Sequence, residues 1–226
     1  MQANSDLGNS PSSFDPFFSQ LQTTTMSKDL INYYSKNADK FVEQYENLSP
    51  EKVNQDWLQF IPVTKSLILD AGSGSGRDSG WLASMGHEVV SVEPADSLRK
   101  MARVLHPDPS IQWIKDSLPS LEKVCNLGLK FDLILVNALW MHIAPGSQEK
   151  SFRKLVDLLK PGGKLVITLR HGPSPDERRM HPVNSQELQQ LAKQFSLEVI
   201  LDAESADLQN RSDVLWHTLV FGLSDE

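Results

Sequence analysis

The sequence predicts a doubly wound α/β fold built on a mostly parallel sheet of seven strands. Short apolar runs alternate with helical patterns from about residue 66 onwards, which is typical of parallel strands joined by right-handed crossovers. A glycine-rich segment at 70–76 follows the first apolar run and precedes a helical pattern. The predicted strands are 66–70, 88–93, 111–115, 131–137, 164–170, 196–202 and 215–222. The predicted helices between them are 77–85, 96–106, 147–159 and 185–194.

Composition narrows the class of protein. The chain has 226 residues, which suits one α/β domain with a modest extension, and its formal net charge of −7 argues against a DNA-binding surface. It has one cysteine, so no disulfide can form within the chain, and a reducing compartment is favoured. The sequence lacks a membrane-spanning apolar run and a secretory signal, so we expect a cytoplasmic protein without membrane contact.

The chain divides into a tail, a helical cap and a core. Residues 1–27 are polar and lack a period, which predicts a disordered tail; the alternative is that Phe14, Phe17 and Phe18 dock on the domain. Within 28–62, apolar residues recur every three or four positions from 28 to 46, which predicts one amphipathic helix. Ser49 and Pro50 then begin a second short helix. Residues 63–226 form the core, in one domain with the cap.

The glycine-rich segment and a carboxylate after the second strand form the main functional pattern. The segment reads Asp-Ala-Gly-Ser-Gly-Ser-Gly at 70–76, and glycine there allows a ligand to approach the main chain closely. Backbone N–H groups at the start of the following helix suit a polar or anionic ligand group. Glu93 ends the second strand, 19 residues after Gly74, where an acid can accept hydrogen bonds from ribose hydroxyls. Together these features predict a nucleoside-binding crevice.

The glycine spacing selects among nucleoside cofactors. It is G-x-G-x-G, not the dinucleotide spacing G-x-G-x-x-G, because Arg77 occupies the last position. The stretch LILDAGSGSGR resembles the first motif of class I methyltransferases, and VVSVEPADSLRKMAR continues the resemblance, which extends from about residue 33 to residue 221. It implies a Rossmann-like methyltransferase sheet with N-terminal cap helices. A nicotinamide cofactor remains the less favoured alternative.

The resemblance also implies a cofactor, S-adenosylmethionine, and residues that bind it. In that family the backbone of the glycine loop holds the methionine part of the cofactor, and the acid after the second strand holds the ribose. The resemblance therefore assigns the ribose to Glu93 and the adenine surroundings to Pro94. It assigns the methionine part to the loop residues Asp70, Gly72, Ser73, Gly74 and Gly76.

Further positions are assigned by the same resemblance. Asp116 follows the third strand like the family carboxylate that accepts from the adenine amino group, with Ser117 and Leu118 beside the ring. Without the resemblance, Asp116 is equally well interpreted as a loop or helix-capping residue. Asn137 ends the fourth strand, near the cofactor amino group or the acceptor. Tyr34, on a helix that resembles the family's cap helix, would reach the pocket or simply pack. No metal site is predicted.

The acceptor side offers fewer constraints. His142 lies where many small-molecule methyltransferases of this family carry a histidine, as a base or an acceptor-orienting group, or it packs the following loop. Arg170 and His171 follow the fifth strand and would form a lid that recognises a carboxylate or phosphate; a solvated surface loop is the alternative. The surface interpretation is favoured for the remaining basic residues of this loop, Arg178, Arg179 and His181.

These observations predict methyl transfer by in-line displacement from S-adenosylmethionine to a small, anionic or zwitterionic metabolite. The alternatives are methylation of a protein or RNA partner, and a regulatory protein that binds S-adenosylmethionine without transferring its methyl group. The sequence leaves open the acceptor atom, the use of a general base, and whether the protein is a monomer or a homodimer.

Overall fold

The computed structural model describes residues 26–223. The predicted tail and its alternative docking segment at 14–18 therefore lie outside the described residues, except for the last two positions. Ser27 caps the first helix by accepting a hydrogen bond from the N–H of Leu30. Met26 is buried and joins the main apolar cluster. These two residues belong to the folded cap.

The cap consists of α1 (Lys28–Lys36), α2 (Ala38–Glu46), α3 (Pro50–Val53) and a 3₁₀ turn at Leu58–Phe60. The prediction of one continuous helix from 28 to 46 was wrong, because the helix is interrupted at Asn37. The side chain of Asn37 donates to the carbonyl of Tyr33 at 2.8 Å, alongside its own backbone N–H. Asparagine side chains compete in this way with helical hydrogen bonding. The predicted start of the second cap helix is confirmed, since Ser49 caps α3 and Pro50 occupies its first turn.

The sheet has seven strands in the order β3-β2-β1-β4-β5-β7-β6. The strands β1 to β5 run parallel, and β7 is antiparallel to both β5 and β6. The predicted fold class is thereby confirmed. The strands are β1 (Leu67–Ala71), β2 (Glu88–Val92), β3 (Ile111–Ile114), β4 (Phe131–Val136), β5 (Leu159–His171), β6 (Leu197–Ala206) and β7 (Leu215–Leu223).

Five helices connect the strands: α4 (Arg77–Ser84), α5 (Asp96–Leu105), α6 (Glu122–Cys125), α7 (Pro145–Asp157) and α8 (Ser185–Gln194). The sequence did not predict α6. The strand β5 begins earlier than predicted, because Leu159 already pairs with Phe131 before a register shift. Apolar side chains from the sheet form separate buried clusters, one containing Phe152 and another containing Trp57. Within residues 26–223, no helix has both the length and the apolar character needed to cross a membrane.

The order of the strands determines where a ligand can bind. The chain goes from β1 outward to β2 and β3, and then returns to place β4 on the other side of β1. Connections that leave in opposite directions open a crevice at the carboxyl ends of the strands on either side of the reversal. The glycine-rich segment lies at this crevice, since it joins the end of β1 to α4.

Candidate active site

The glycine loop has a conformation that requires glycine. Gly72, Gly74 and Gly76 all have positive φ, at 84°, 58° and 84°. A Cβ on Gly76 would lie 2.5 Å from the ring of Trp113, so this position is also closed by packing. The N–H groups of Gly72 and Ser73 donate to the carbonyl of Val92, at 2.8 and 2.9 Å. The loop is therefore fastened to the end of the neighbouring strand β2.

Glu93, the residue after β2, contacts this loop directly. Its carboxylate accepts from the N–H of Gly74 at 3.1 Å and from the N–H of Ala95 at 2.7 Å. Burial raises the pKa of Glu93 to about 7, although these two hydrogen bonds oppose the shift. The predicted pairing of loop and acid is therefore present, with the carboxylate buried at the base of the crevice.

Asp70 is a second buried carboxylate at the end of β1. It accepts a hydrogen bond from the hydroxyl of Ser79, on α4, at 2.7 Å. Burial, with the nearby charge of Asp78, raises the pKa of Asp70 to about 7. Two carboxyl groups that change ionisation near neutral pH therefore border the same crevice.

A buried polar cluster beside the loop was not predicted from the sequence. Asp78 accepts hydrogen bonds from Arg77, from the amide of Asn54 at 3.0 Å and from the amide of Asn137 at 2.9 Å. Burial alone would raise the pKa of Asp78, but the Arg77 guanidinium and the two amides keep it below its usual range. Asn137 also donates to the side-chain oxygen of Asn54 at 3.0 Å. The cap and the sheet are thus joined by a charged hydrogen-bond network in which Asn54 and Asp78 are buried.

Asn137 is held by a strained turn at the end of β4. The next residue, Ala138, has a φ of 51°, a backbone conformation uncommon for residues other than glycine. Its N–H donates to the hydroxyl of Thr168 on β5 at 2.8 Å. The side-chain oxygen of Asn137 is buried and has no hydrogen-bond partner among the described residues, and the same is true of the hydroxyl of Ser73. Both residues line one cavity, which can therefore supply polar contacts to a ligand.

That cavity extends along the carboxyl edge of the sheet, under the cap. Its lining includes the predicted residues Tyr34, Asp70, Gly72, Ser73, Gly74, Glu93, Pro94, Asn137 and His142, with Tyr45 of α2. It also includes residues of the α3 region and of β6, β7 and their connection, which are Lys52, Gln55, Ser205, Asp207, Gln209, Trp216 and Thr218. In the described part of the chain, no group of three or more His, Cys, Asp or Glu residues is arranged to hold a metal ion.

His142 is a neutral histidine whose two ring nitrogens both have hydrogen-bond partners. Its Nε2 lies 3.0 Å from the hydroxyl of Tyr34, and its Nδ1 lies 3.0 Å from the carbonyl of Arg179. A carbonyl only accepts, so Nδ1 carries the proton and Nε2 accepts from the phenol. Burial lowers the pKa of His142 to about 4. In this arrangement neither nitrogen is free to take a proton from an acceptor, which favours an orienting role over that of a base.

The comparisons with known proteins bear on this geometry. Residues 69–167 match the family model described as "Methyltransferase domain". The ubiquinone biosynthesis O-methyltransferase of Ruegeria pomeroyi is 31% identical over 113 residues, which are 50% of this chain and 44% of that protein. The matched segment of the biotin biosynthesis bifunctional protein BioHC of Cellvibrio japonicus is 24% identical over 70% of this chain and 30% of that protein.

A solved structure extends the likeness to the whole fold. The 1,6-didemethyltoxoflavin-N1-methyltransferase of Burkholderia thailandensis, with bound S-adenosylhomocysteine, superposes with a TM-score of 0.66 at 17% identity. The superposition covers 87% of this chain and 88% of that one. Residues 69–167 thus match a methyltransferase domain, and the fold is that of the class I, S-adenosylmethionine-dependent methyltransferases. The chain spans less than half the length of the two curated relatives named above.

Within this methyltransferase fold, three residues assigned to the adenine lie outside the cavity lining. Asp116 accepts from the N–H groups of Ser117, Lys123 and Val124, at 2.8, 2.7 and 3.1 Å. Its carboxylate therefore caps α6, and the helix-capping interpretation describes it. Leu118 is buried, and its carbonyl accepts from the N–H of Met26 at 3.4 Å. Met26 lines the cavity in this region, while Ser117 and Leu118 do not.

The basic residues after β5 also differ from expectation. The guanidinium of Arg170 donates to the carbonyls of Gly172 and Pro173, at 3.4 and 2.8 Å, and so stabilises its own loop. Neither Arg170 nor His171 is among the described residues that line the cavity with the glycine loop, so the proposed anion-binding lid is not formed by them. Gly76 is also absent from the cavity lining. It is the N-cap residue of α4 and has a left-handed backbone conformation. Arg178, interpreted as a surface residue, is buried.

Proposed function

We propose that this chain binds S-adenosylmethionine in the cavity at the glycine loop. The observation that carries the proposal is the hydrogen bond from the N–H of Gly74 to the Glu93 carboxylate. It places the carboxylate that would bind the ribose next to the glycine loop that would bind the methionine part. Glu93 would accept from the ribose hydroxyls. The unpartnered oxygen of Asn137 suits the ammonium group of the methionine part, and the unpartnered hydroxyl of Ser73 suits its carboxylate.

The activity that follows from this binding is methyl transfer. The cofactor, when bound, supplies an electrophilic methyl group on a sulfonium with a good leaving group. The chain's own contribution is to align the acceptor with that methyl group and to keep water out, through the cap that covers the cavity. The buried Asn54–Asp78–Asn137 network holds cap and sheet together and so supports this alignment.

The acceptor that we propose is a small metabolite. The lining from the α3 region and from β6, β7 and their connection offers neutral hydrogen-bonding groups, on Gln55, Ser205, Gln209 and Thr218, together with the ring of Trp216. Asp207, in the same part of the lining, is paired with Arg211 at 2.6 Å. The expectation of an anionic or zwitterionic acceptor loses the support of Arg170, and Lys52 is the cavity residue that remains available for a negative charge.

Release of S-adenosylhomocysteine tests this function. The full chain is incubated with S-adenosylmethionine and, separately, with a metabolite extract, a protein extract and an RNA extract. Product release in the metabolite sample supports a small-molecule acceptor. Release only with protein or RNA would contradict that acceptor class and favour a macromolecular substrate. Tight binding without release in any sample would favour the regulatory alternative.

The cofactor site should respond to pH near neutrality. Glu93 and Asp70 have pKa values raised to about 7, so both become negatively charged between about pH 6 and pH 8. A sulfonium cation and ribose hydroxyls bind better to ionised carboxylates. The affinity for S-adenosylmethionine should therefore increase with pH and level off above the pKa values that Glu93 and Asp70 have in the ligand-free protein. We expect a gain of up to about tenfold for each carboxylate in this interval. Calorimetric titration with S-adenosylmethionine across the range measures it.

Asp70→Asn provides the comparison for this titration. The amide has the same size and remains neutral, so the variant should show a smaller increase of affinity with pH than the unmodified chain. A dissociation constant that does not change with pH in the unmodified chain would contradict the role of these carboxylates.

A further inference from the structure

Arg178 occupies an unusual position for a residue in the loop between β5 and α8. Its neighbours Glu177 and Arg179 are exposed, whereas Arg178 is only 9% exposed. Arginine is rarely buried unless its charge is paired. Here Nε of Arg178 lies 2.7 Å from the carboxylate of Asp176, in the same loop. The loop therefore carries its own counterion for a guanidinium that points away from solvent.

The partners of this guanidinium belong to the cap. It lies over the rings of Phe41 and Tyr34, with its central carbon 4.8 and 5.7 Å from the ring centroids. Nη1 also donates to the hydroxyl of Tyr34 at 3.3 Å. Cation–π contacts with buried rings are stronger than exposed ones because water does not compete. Arg178 thus fastens the loop to α1 and α2.

These contacts close a ring of hydrogen bonds through three segments of the chain. Arg178 donates to the Tyr34 hydroxyl, and that hydroxyl donates to Nε2 of His142. Nδ1 of His142 then donates to the carbonyl of Arg179, the residue next to Arg178. The backbone N–H of His181 also donates to the carbonyl of Met141 at 2.8 Å, which gives a further link between these two segments. Tyr34 and His142 line the cavity, while Arg178 does not.

We propose that Arg178 is a positioning residue, which closes this ring and thereby fixes Tyr34 and His142 on the cavity wall. The guanidinium has no contact with a ligand in this role. It acts by holding the loop to the cap, so that the Tyr34 ring and the His142 imidazole keep one orientation. The effect on cofactor affinity rests on the proposed function, but the effect on His142 does not.

The tautomer of His142, that is, which of its two nitrogens carries the proton, shows whether the ring of hydrogen bonds is closed. In the ligand-free protein, ¹⁵N NMR of the histidine side chains should show His142 as the Nδ1–H tautomer, since Nδ1 must donate to a carbonyl. Arg178→Met removes the charge and the donors but retains an apolar stem. We expect averaged tautomers of His142 in this variant and a dissociation constant for S-adenosylhomocysteine raised at least about tenfold.

Two variants serve as controls. Arg179→Met removes an equal charge from the adjacent, exposed position and should leave both the tautomer and the affinity unchanged. Arg178→Lys retains the charge and should give intermediate values. A wild-type tautomer or a wild-type affinity in Arg178→Met would overturn the proposal. If the unmodified chain does not bind S-adenosylhomocysteine at all, the proposed function fails and the tautomer comparison alone decides the role of Arg178.

A third variant covers the possibility that Arg178→Met does not fold. Tyr34→Phe cuts the same ring at the phenol while leaving the cation, its carboxylate partner and both aromatic faces in place. It should also release His142 from the single tautomer. A folded Tyr34→Phe protein that retains the Nδ1–H form unchanged would overturn the proposed ring.

Discussion

Glu93→Ala should weaken binding of S-adenosylmethionine by about 100-fold, the loss expected for two charge-assisted hydrogen bonds of about 1.5 kcal/mol each. The carboxylate is buried and already lies within hydrogen-bond distance of the glycine loop, so a ribose held there would lose both of its acceptors. The substitution also leaves the N–H groups of Gly74 and Ala95 without their partner, which loosens the loop. Calorimetric titration of both proteins measures the change.

Glu88→Ala is the matched control for this experiment. Glu88 begins the same strand that precedes Glu93, but it is exposed and its carboxylate pairs with Lys65 at the surface. Surface ion pairs of this kind contribute little, so affinity should remain within about twofold of the unmodified chain. An unchanged affinity in a folded Glu93→Ala protein would remove Glu93 from the cofactor site.

Gly76→Ala should lower the free energy of unfolding by about 3 kcal/mol, combining about 1 kcal/mol of left-handed backbone strain with about 2 kcal/mol of overpacking. The added Cβ would lie 2.5 Å from the Trp113 ring, 3.1 Å from His106 and 3.2 Å from the Cβ of Ala102. These neighbours belong to β3 and to the last turns of α5, so the added carbon would press on both elements at once. Thermal unfolding should show a melting temperature lower by about 6 to 12 °C.

Gly146→Ala tests whether this loss is specific to the loop. Gly146 lies in the first turn of α7, where an added Cβ meets no atom within 4 Å. Alanine is the better helix former there, so the variant should be as stable as the unmodified chain or slightly more stable. Equal melting temperatures for Gly76→Ala and Gly146→Ala would contradict the account of the glycine loop.

Much of the fold was predictable because its signals are local. The strands β1, β2 and β4 are short apolar runs that a helical pattern follows, and the starts of α4, α5 and α8 agree with the predicted ones. The interruption at Asn37 was missed because the apolar period continues across it, while the side chain bonds to Tyr33 instead. The early start of β5 was missed because Pro161 and Gly162 resemble a turn, whereas Leu159 already pairs with β4.

The residues of the candidate site likewise fall into those that the sequence could predict and those that it could not. The glycine loop and Glu93 were predictable, since a spacing of 19 residues across one strand–helix–strand unit fixes their proximity. Asn54 was not, because its partners Asp78 and Asn137 are 24 and 83 residues away and meet it only when the cap packs on the sheet. Arg178 likewise appeared to be one of several loop cations, and only tertiary packing distinguishes it from Arg179. Asp116 could have accepted hydrogen bonds either from the adenine or from a nearby helix N-terminus. In the structure it accepts from the N–H groups of Lys123 and Val124, at the start of α6.

The central claim is that the cavity bordered by the glycine loop and Glu93 accepts a sulfonium nucleoside and not a dinucleotide. Calorimetric titration of the full chain with S-adenosylhomocysteine and with NAD tests it most directly. We predict saturable binding of one S-adenosylhomocysteine per chain and no detectable binding of NAD. Binding of NAD, or the absence of any heat with S-adenosylhomocysteine from a folded protein, would contradict the account.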